Sequence, residues 1–515
     1  MNITFLETSD IHGYVYPTDY SGKNGLPFGA AKVAAKLKEL RTKADGPVIT
    51  IENGDFIQGS PLSYYLAKEK RSIQELTNLI NLMDYDAQVI GNHEFNYGID
   101  YLKQAIQNYT APVLAANILD KDGQPYFGKA YTIIEKSGIK VAVLGLTTQY
   151  VPHWEKPETL EGLTFESIIE TAKKYVPLLK KKADLVVVSY HGGFERMLTT
   201  GEATEALTGE NEGYKLLQEV DGIDALFTGH QHRLIADKIN DVPIVQPGYR
   251  GNQIGEIQLT VEQMDDQVIV TDSYAVLHSV EEAIPDPQVI SAIEPMETEL
   301  ENWLDQTLGK VDGDMRIADP MQARLVEHPY IEFINRVQLF SSGAKISATA
   351  LFNNDGKGLD QTITMRDVIT NYIYPNTLAV IKVNGADLRA ALEQTANYLA
   401  VKDNKIIFNP AYIQPKPQYY NYDMYEGIQY TIDMNHPPGQ RIIELNFQDL
   451  PITPDQELEV VTNQYRAIGG GNYTMFSADK IIREIQIDMT ELIADYLKKY
   501  PIIKAETNHN FQVIL

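Results

Sequence analysis

Five of the ten histidines fall in four short segments, and a fifth segment of the same kind contributes an aspartate. The segments read Ser9-Asp10-Ile11-His12, Asn53-Gly54-Asp55, Gly91-Asn92-His93, Tyr190-His191 and Gly229-His230-Gln231-His232. Asp-x-His and His-x-His spacings put both side chains of a pair on one side of an extended backbone. The chain has no cysteine, so the donors are oxygen and imidazole alone, a set suited to Mn, Zn, Fe or Mg. A single Asp-x-His is ordinarily a capped turn. Five donor-bearing segments, each behind a strand-like run, point instead to a metal site. Asp10, His12, Asp55, Asn92, His191, His230 and His232 supply seven groups, against the roughly four that one zinc takes. The surplus points to two cations sharing a bridging carboxylate. Two ions about 3.5–4 Å apart acidify water and clamp a phosphoryl group for in-line attack.

The runs that end in these donors are short and β-rich: ITFLET (3–8), PVITIE (47–52), AQVIG (87–91), DLVVVS (184–189) and DALFTG (224–229). VAVLGL (141–146) is a sixth. Between them lie the helical patterns AAKVAAKLKELR (30–41), SIQELTNLINLM (72–83) and FESIIETAKKYVPLLKK (165–181). Strand–helix alternation predicts an α/β layered fold, in which ligands bind beyond the carboxyl ends of the strands. Antiparallel strands then close a first domain over residues 1–284. Residues 285–309 carry apolar positions at helical spacing after Asp286-Pro287 and predict a connecting helix and hinge. A second domain follows over 310–515. Its predicted elements are the strands TLAVIKVN, QYTIDM and ELEVVTN, the helix ADLRAALEQTANYLA and a final helix near 488–499.

At 515 residues, two or more domains are expected, and 43% apolar with 22% charged residues is a globular balance. No apolar run approaches the roughly 20 residues of a membrane span. The start MNITFLETSD lacks the features of a signal peptide, which predicts a cytoplasmic protein, with export as the alternative if the N-terminus is processed. A net charge of −26 disfavours nucleic-acid duplexes and anionic membranes as partners. A small anionic substrate stays compatible, because bound cations reverse the local field.

Taken in order, Asp10-x-His12, Gly54-Asp55, Gly91-Asn92-His93-Glu94 and Gly229-His230-x-His232 resemble the calcineurin-like metallophosphoesterases. The longer stretches ENGDFIQGSP, GNHEFNYG, YNYDMYEG and NQYRAIGGGNY resemble the 5′-nucleotidase group. Within it they are most similar to the 2′,3′-cyclic-nucleotide 2′-phosphodiesterase/3′-nucleotidase branch. The resemblance implies an N-terminal α/β/β/α metallophosphoesterase domain, a connecting helix and a C-terminal α+β nucleotide-binding domain. It implies two divalent ions, one on Asp10, His12, Asp55 and His232, the other on Asp55, Asn92, His191 and His230. It makes His93 a catalytic group that stabilises phosphoryl oxygens or protonates the leaving ribose oxygen. Glu94 is expected to hold the loop or a metal ligand. Tyr422 and Tyr465 match positions where the family sandwiches a base, with Tyr425 and Tyr473 as neighbouring alternatives. Gly470, central in Gly469-Gly470-Gly471, would let the backbone approach a ligand. Asn353 and Asn354, in FNNDGKG, are expected either to contact ribose or to form a turn.

Two letters depart from the 5′-nucleotidase pattern. Asn96 stands where many members carry an aspartate paired with the catalytic histidine, and an amide orients an imidazole without favouring its charged form. FNNDGKG also lacks the arginine usual in that loop. The expected activity is therefore hydrolysis of 2′,3′-cyclic nucleotides to 3′-nucleotides, then of 3′-nucleotides to nucleosides and phosphate. The alternatives are a 5′-nucleotidase or nucleotide-sugar hydrolase of the same fold, and a non-catalytic nucleotide-binding protein.

Overall fold

The computed structural model describes residues 1–515 except 23, 205–206, 265–266, 375, 415 and 486. The chain divides into two units, Met1–Leu300 and Glu301–Leu515.

The first unit is built on two six-stranded sheets. In one, Asn2–Thr8, Val48–Glu52, Ala87–Val89 and Val113–Leu114 run parallel as neighbours. The antiparallel strands Gln253–Met264 and Gln267–Ser279 extend its Asn2–Thr8 side. In the other, Ile139–Thr147, Leu185–His191, Ala225–Thr228 and Val242–Pro247 are parallel, with antiparallel strands at both edges. The two sheets share a core. Ile3, Phe5, Ile49, Ile51 and Val89 from one pack with Val141, Val143, Leu185, Val187 and Phe227 from the other. Alternate residues of the second sheet, such as Val186 and Val188, face Ile168, Val176 and Leu179 of the helix Ile168–Leu179. Strands buried on both faces read as continuous apolar runs, which is why VAVLGL and LVVVS lack polar alternation.

Each expected strand–donor junction is present, because the parallel strands all end on the same side. No described helix is long and apolar enough to cross a membrane. Residues 285–309 contain the helix Pro287–Leu304.

The second unit has a mixed five-stranded sheet in the order Asp423–Glu426, Ile346–Ala350, Glu457–Asn463, Leu378–Asn384, Ile481–Ile485. Helices Pro329–Ser342, Gly385–Asn397 and Met489–Lys499 pack in the same core. Gly385–Asn397 starts at a capping box, Asn384 accepting from the Asp387 N–H and Asp387 from the Asn384 N–H. The predicted strand QYTIDM lies outside the five-stranded sheet, as Gln429–Asp433 in a separate four-stranded one.

Candidate metal centre

Five of the seven donor residues have left-handed backbone: Asp10 and His12 at φ 54°, Asp55 at 58°, His230 at 67° and His232 at 57°. That conformation costs an L-residue about 1–2 kcal/mol. It turns the chain sharply just past the strand end. Left-handed backbone is also found in turns elsewhere in the chain, but at five of the seven candidate donors it falls shortly after a strand.

The donors converge in two groups, Asp10 with His12 and His232, and Asp55 with His191 and His230. His12 Nδ1 lies 2.9 Å from the Gln58 carbonyl, and His191 Nδ1 lies 2.6 Å from the Asn53 carbonyl. A carbonyl only accepts, so both rings carry a proton on Nδ1 and turn Nε2 inward. His12 Nε2 then stands 3.1 Å from His232 Nε2. His191 Nε2 lies 3.1 Å from Asp55 Oδ2 and 3.2 Å from Asn92 Oδ1. His230 is fixed from outside, its Nε2 donating to Glu210 at 2.9 Å, which leaves the Nδ1 lone pair 2.8 Å from Asn92 Oδ1. Ring nitrogens and carboxylate and amide oxygens crowded this closely in a buried site are what a cation resolves. The donor set fits divalent metal.

The field agrees. Burial pushes His12 down to about 4, keeping it neutral and able to ligate. Burial also opposes charge on His191, but the Asp55 and Asp10 carboxylates outweigh it and push that ring up to about 10. A proton there compensates carboxylates that a cation would otherwise neutralise.

Glu94 holds the frame together. It is buried, and its oxygens accept from the backbone N–H groups of Asp55, Phe56 and Gly91, each at 2.8 Å. Gly91 must be glycine, since a Cβ there would stand 2.2 Å from Asp55 Oδ1. His93 is half-buried, its backbone N–H donates to Asp55 Oδ1 at 2.8 Å, and its Nδ1 lies 2.7 Å from Asn96 Oδ1. Glu210 was not among the residues singled out by sequence, which carries no signal for it: it sits in a polar loop 20 residues before His230.

In the second unit the expected aromatic pair needs correction. Tyr465 is half-buried, but Tyr422 is 1% exposed, and its hydroxyl donates to the Arg324 carbonyl. Tyr425 and Tyr473 are buried in the same core. The half-buried ring beside Tyr465 is Tyr420, with centroids 6.5 Å apart and the ring planes at 65°. Tyr422 immediately precedes the edge strand Asp423–Glu426, and its ring fills the core instead of lining a surface. Gly470 serves this arrangement, because a Cβ there would stand 2.5 Å from the Tyr465 ring. Arg466, paired with Asp423 at 2.6 Å, also donates to the Gly470 carbonyl, so one buried ion pair joins YNYDMYEG to NQYRAIGGGNY. Asn353 forms a turn, accepting from the N–H groups of Asp355 and Gly356. Asn354 accepts from Arg324, a buried guanidinium that reaches the FNNDGKG loop from outside it.

Residues 3–234 match the calcineurin-like phosphoesterase family, and residues 307–478 match the 5′-nucleotidase C-terminal domain. A Staphylococcus aureus protein provisionally named a 5′-nucleotidase, crystallised with alpha-ketoglutarate, is 37% identical over the whole of both chains, with a TM-score of 0.94. The chain belongs to the calcineurin-like phosphoesterases that carry a 5′-nucleotidase C-terminal domain, and it is a hydrolase of phosphate esters. The Haemophilus influenzae 2′,3′-cyclic-nucleotide 2′-phosphodiesterase/3′-nucleotidase is 28% identical over 99% of this chain and 86% of its own length. The trifunctional nucleotide phosphoesterase YfkN of Bacillus subtilis is 26% identical over 100% of this chain, which spans 39% of that protein's length.

Proposed function

We propose that the chain is a two-metal phosphoesterase that opens 2′,3′-cyclic nucleotides to 3′-nucleotides and then removes the 3′-phosphate. Asp10, His12, Asp55 and His232 would hold one divalent cation, and Asp55, Asn92, His191 and His230 the other, with Asp55 shared. Such a pair, when bound, polarises the phosphoryl group and acidifies water. Glu94 keeps the Asp55 loop in place through its backbone N–H groups. His93 has Nδ1 engaged by Asn96, so Nε2 is the nitrogen left for substrate. With a proton on each ring nitrogen, it stabilises phosphoryl oxygens there and hands the Nε2 proton to the departing ribose oxygen, keeping the Nδ1 proton on Asn96. Tyr465, with Tyr420 in the place expected of Tyr422, supplies a platform on which any base can stack.

The observation that carries the substrate choice is the pairing of His93 with the Asn96 amide at 2.7 Å in place of a carboxylate. The name of the Haemophilus influenzae relative supports the same choice. The name of the Staphylococcus aureus protein favours a second reading, a 5′-nucleotidase. Turnover of 2′,3′-cAMP, 3′-AMP, 5′-AMP and UDP-glucose with Mn²⁺ separates the two. Cleavage of the first two is expected, and cleavage of only the last two overturns the proposal.

A further inference from the structure

His93 Nδ1 lies 2.7 Å from Asn96 Oδ1, and on the other side Asn96 Nδ2 donates to Glu155 Oε1 at 2.6 Å. Glu155 comes from a distant part of the chain, 59 residues beyond Asn96. It follows the turn Val151–His153 and lies beside Trp154, whose ring is 5.4 Å from that of His230. Val151 and Leu160 on either side of it are buried in one cluster with Phe95, the neighbour of Asn96. The two segments are therefore packed together, and the carboxylate is delivered to the amide by that packing.

The chemistry of an amide gives this contact its meaning. A primary amide turned through half a revolution exchanges its oxygen for its NH₂ with almost no change of shape. Left alone, Asn96 offers His93 an acceptor in one orientation and a donor in the other. An acceptor at Nδ1 selects the ring with a proton on Nδ1, whereas a donor selects the opposite tautomer. Burial pushes Glu155 up to about 7, and in the ionised form that prevails above that pH its carboxylate only accepts. Facing Glu155, the Asn96 NH₂ must turn toward it and the carbonyl must turn toward His93.

We propose that Glu155 is a positioning residue for His93, acting through the Asn96 amide: it sets the amide's orientation and thereby the tautomer and aim of the imidazole. The chain thus keeps a carboxylate behind its catalytic histidine, one amide further away than in a direct His–Asp pair. This rests on the reading of His93 as the group that protonates the leaving oxygen.

The test uses Glu155→Gln, Glu155→Ala, Asn96→Asp and the double variant Asn96→Asp/Glu155→Gln in the full chain with Mn²⁺. Substrates are 3′-AMP, with a poor alkoxide leaving group, and p-nitrophenyl phosphate, whose leaving group needs no proton. Glu155→Gln is expected to lower kcat on 3′-AMP about tenfold, with KM within about twofold and bound metal unchanged, because an introduced amide accepts either Asn96 orientation. Glu155→Ala loses more, and both lose less on p-nitrophenyl phosphate. Asn96→Asp sets two carboxylates against each other and loses activity. Adding Glu155→Gln to it recovers activity, because the introduced amide donates to the introduced aspartate. Parental kcat on 3′-AMP in both Glu155 variants overturns the inference, as does equal loss on both substrates or a double variant no better than Asn96→Asp. A His93→Ala variant as active as the parent overturns the inference and the parent reading together. Loss in His93→Ala with parental Glu155 variants overturns the inference alone.

Discussion

His230 donates its Nε2 proton to Glu210 at 2.9 Å and so turns its Nδ1 lone pair onto Asn92 Oδ1, 2.8 Å away. A histidine held by a carboxylate on its outer nitrogen is oriented and made a better ligand by the inner one. Removing Glu210 leaves the ring free to choose the other tautomer. Glu210→Ala is expected to weaken affinity for Mn²⁺ by about 10–100-fold without unfolding the chain. Metal titration alongside circular dichroism checks both halves.

Dialysis against a chelator is expected to abolish turnover, and Mn²⁺ to restore it. Metal analysis of the reloaded protein should return two ions per chain. Asp10→Ala should retain one and Asp55→Ala, the shared carboxylate, should retain neither at full occupancy. A single ion in the parent would remove the case for a bridging Asp55.

His93 holds Asp55 Oδ1 only through its backbone N–H, which an alanine there keeps, and its Nδ1 is engaged by Asn96. His93→Ala is therefore expected to keep the metal and lose about 10²–10⁴ in turnover, the usual contribution of a positioned general acid. Parental metal content measured together with kcat is the check.

The tyrosines separate by role. Tyr465→Ala and Tyr420→Ala are expected to raise KM for nucleotides, each by the equivalent of about 1–3 kcal/mol, and to leave p-nitrophenyl phosphate unaffected. Tyr422→Ala should instead cost about 3–5 kcal/mol of stability, as for a large ring removed from a core. Steady-state kinetics and denaturant unfolding of the three variants distinguish the two outcomes.

Glu327, Glu332 and Glu426 bring carboxyl oxygens within 4.8 Å of one another in the second unit. Burial first, and the adjacent Glu332 second, push Glu327 up to about 7 and Glu426 up to about 8. Both values lie above the roughly 4.3 of an unfolded glutamate, so the folded state binds more protons than the unfolded one between those limits. Their contribution is most favourable below about pH 4 and is lost as pH rises through 7 to 8. Glu426→Gln should therefore flatten the fall in melting temperature between pH 5 and pH 8 relative to the parent. Scanning calorimetry at both pH values reads the difference, and an unchanged slope refutes the assignment.

Much of the site was readable along the chain. A donor following a strand end is a local pattern, and parallel strands in one layer must bring such ends to one side. Order and spacing alone therefore sufficed to gather Asp10, His12, Asp55, Asn92, His191, His230 and His232 as candidates. Gly91 and Glu94 were legible as letters of the same motif, although the groups they meet, Asp55 and Phe56, lie in another loop.

What the chain order could not carry was which partner stands behind each of these groups. Glu210 and Glu155 belong to loops with no motif, and they reach His230 and Asn96 only through packing of distant segments, Val151 against Phe95 among them. The choice of Tyr420 over Tyr422 is of the same kind. The two differ by two positions in one motif, and only the burial of one ring in the core leaves the other at the surface. Residue type and spacing determine which side chains are able to bind metal or stack on a base. Hydrogen-bond direction and burial, which exist only once remote segments meet, decide which nitrogen faces the metal and which ring faces the substrate.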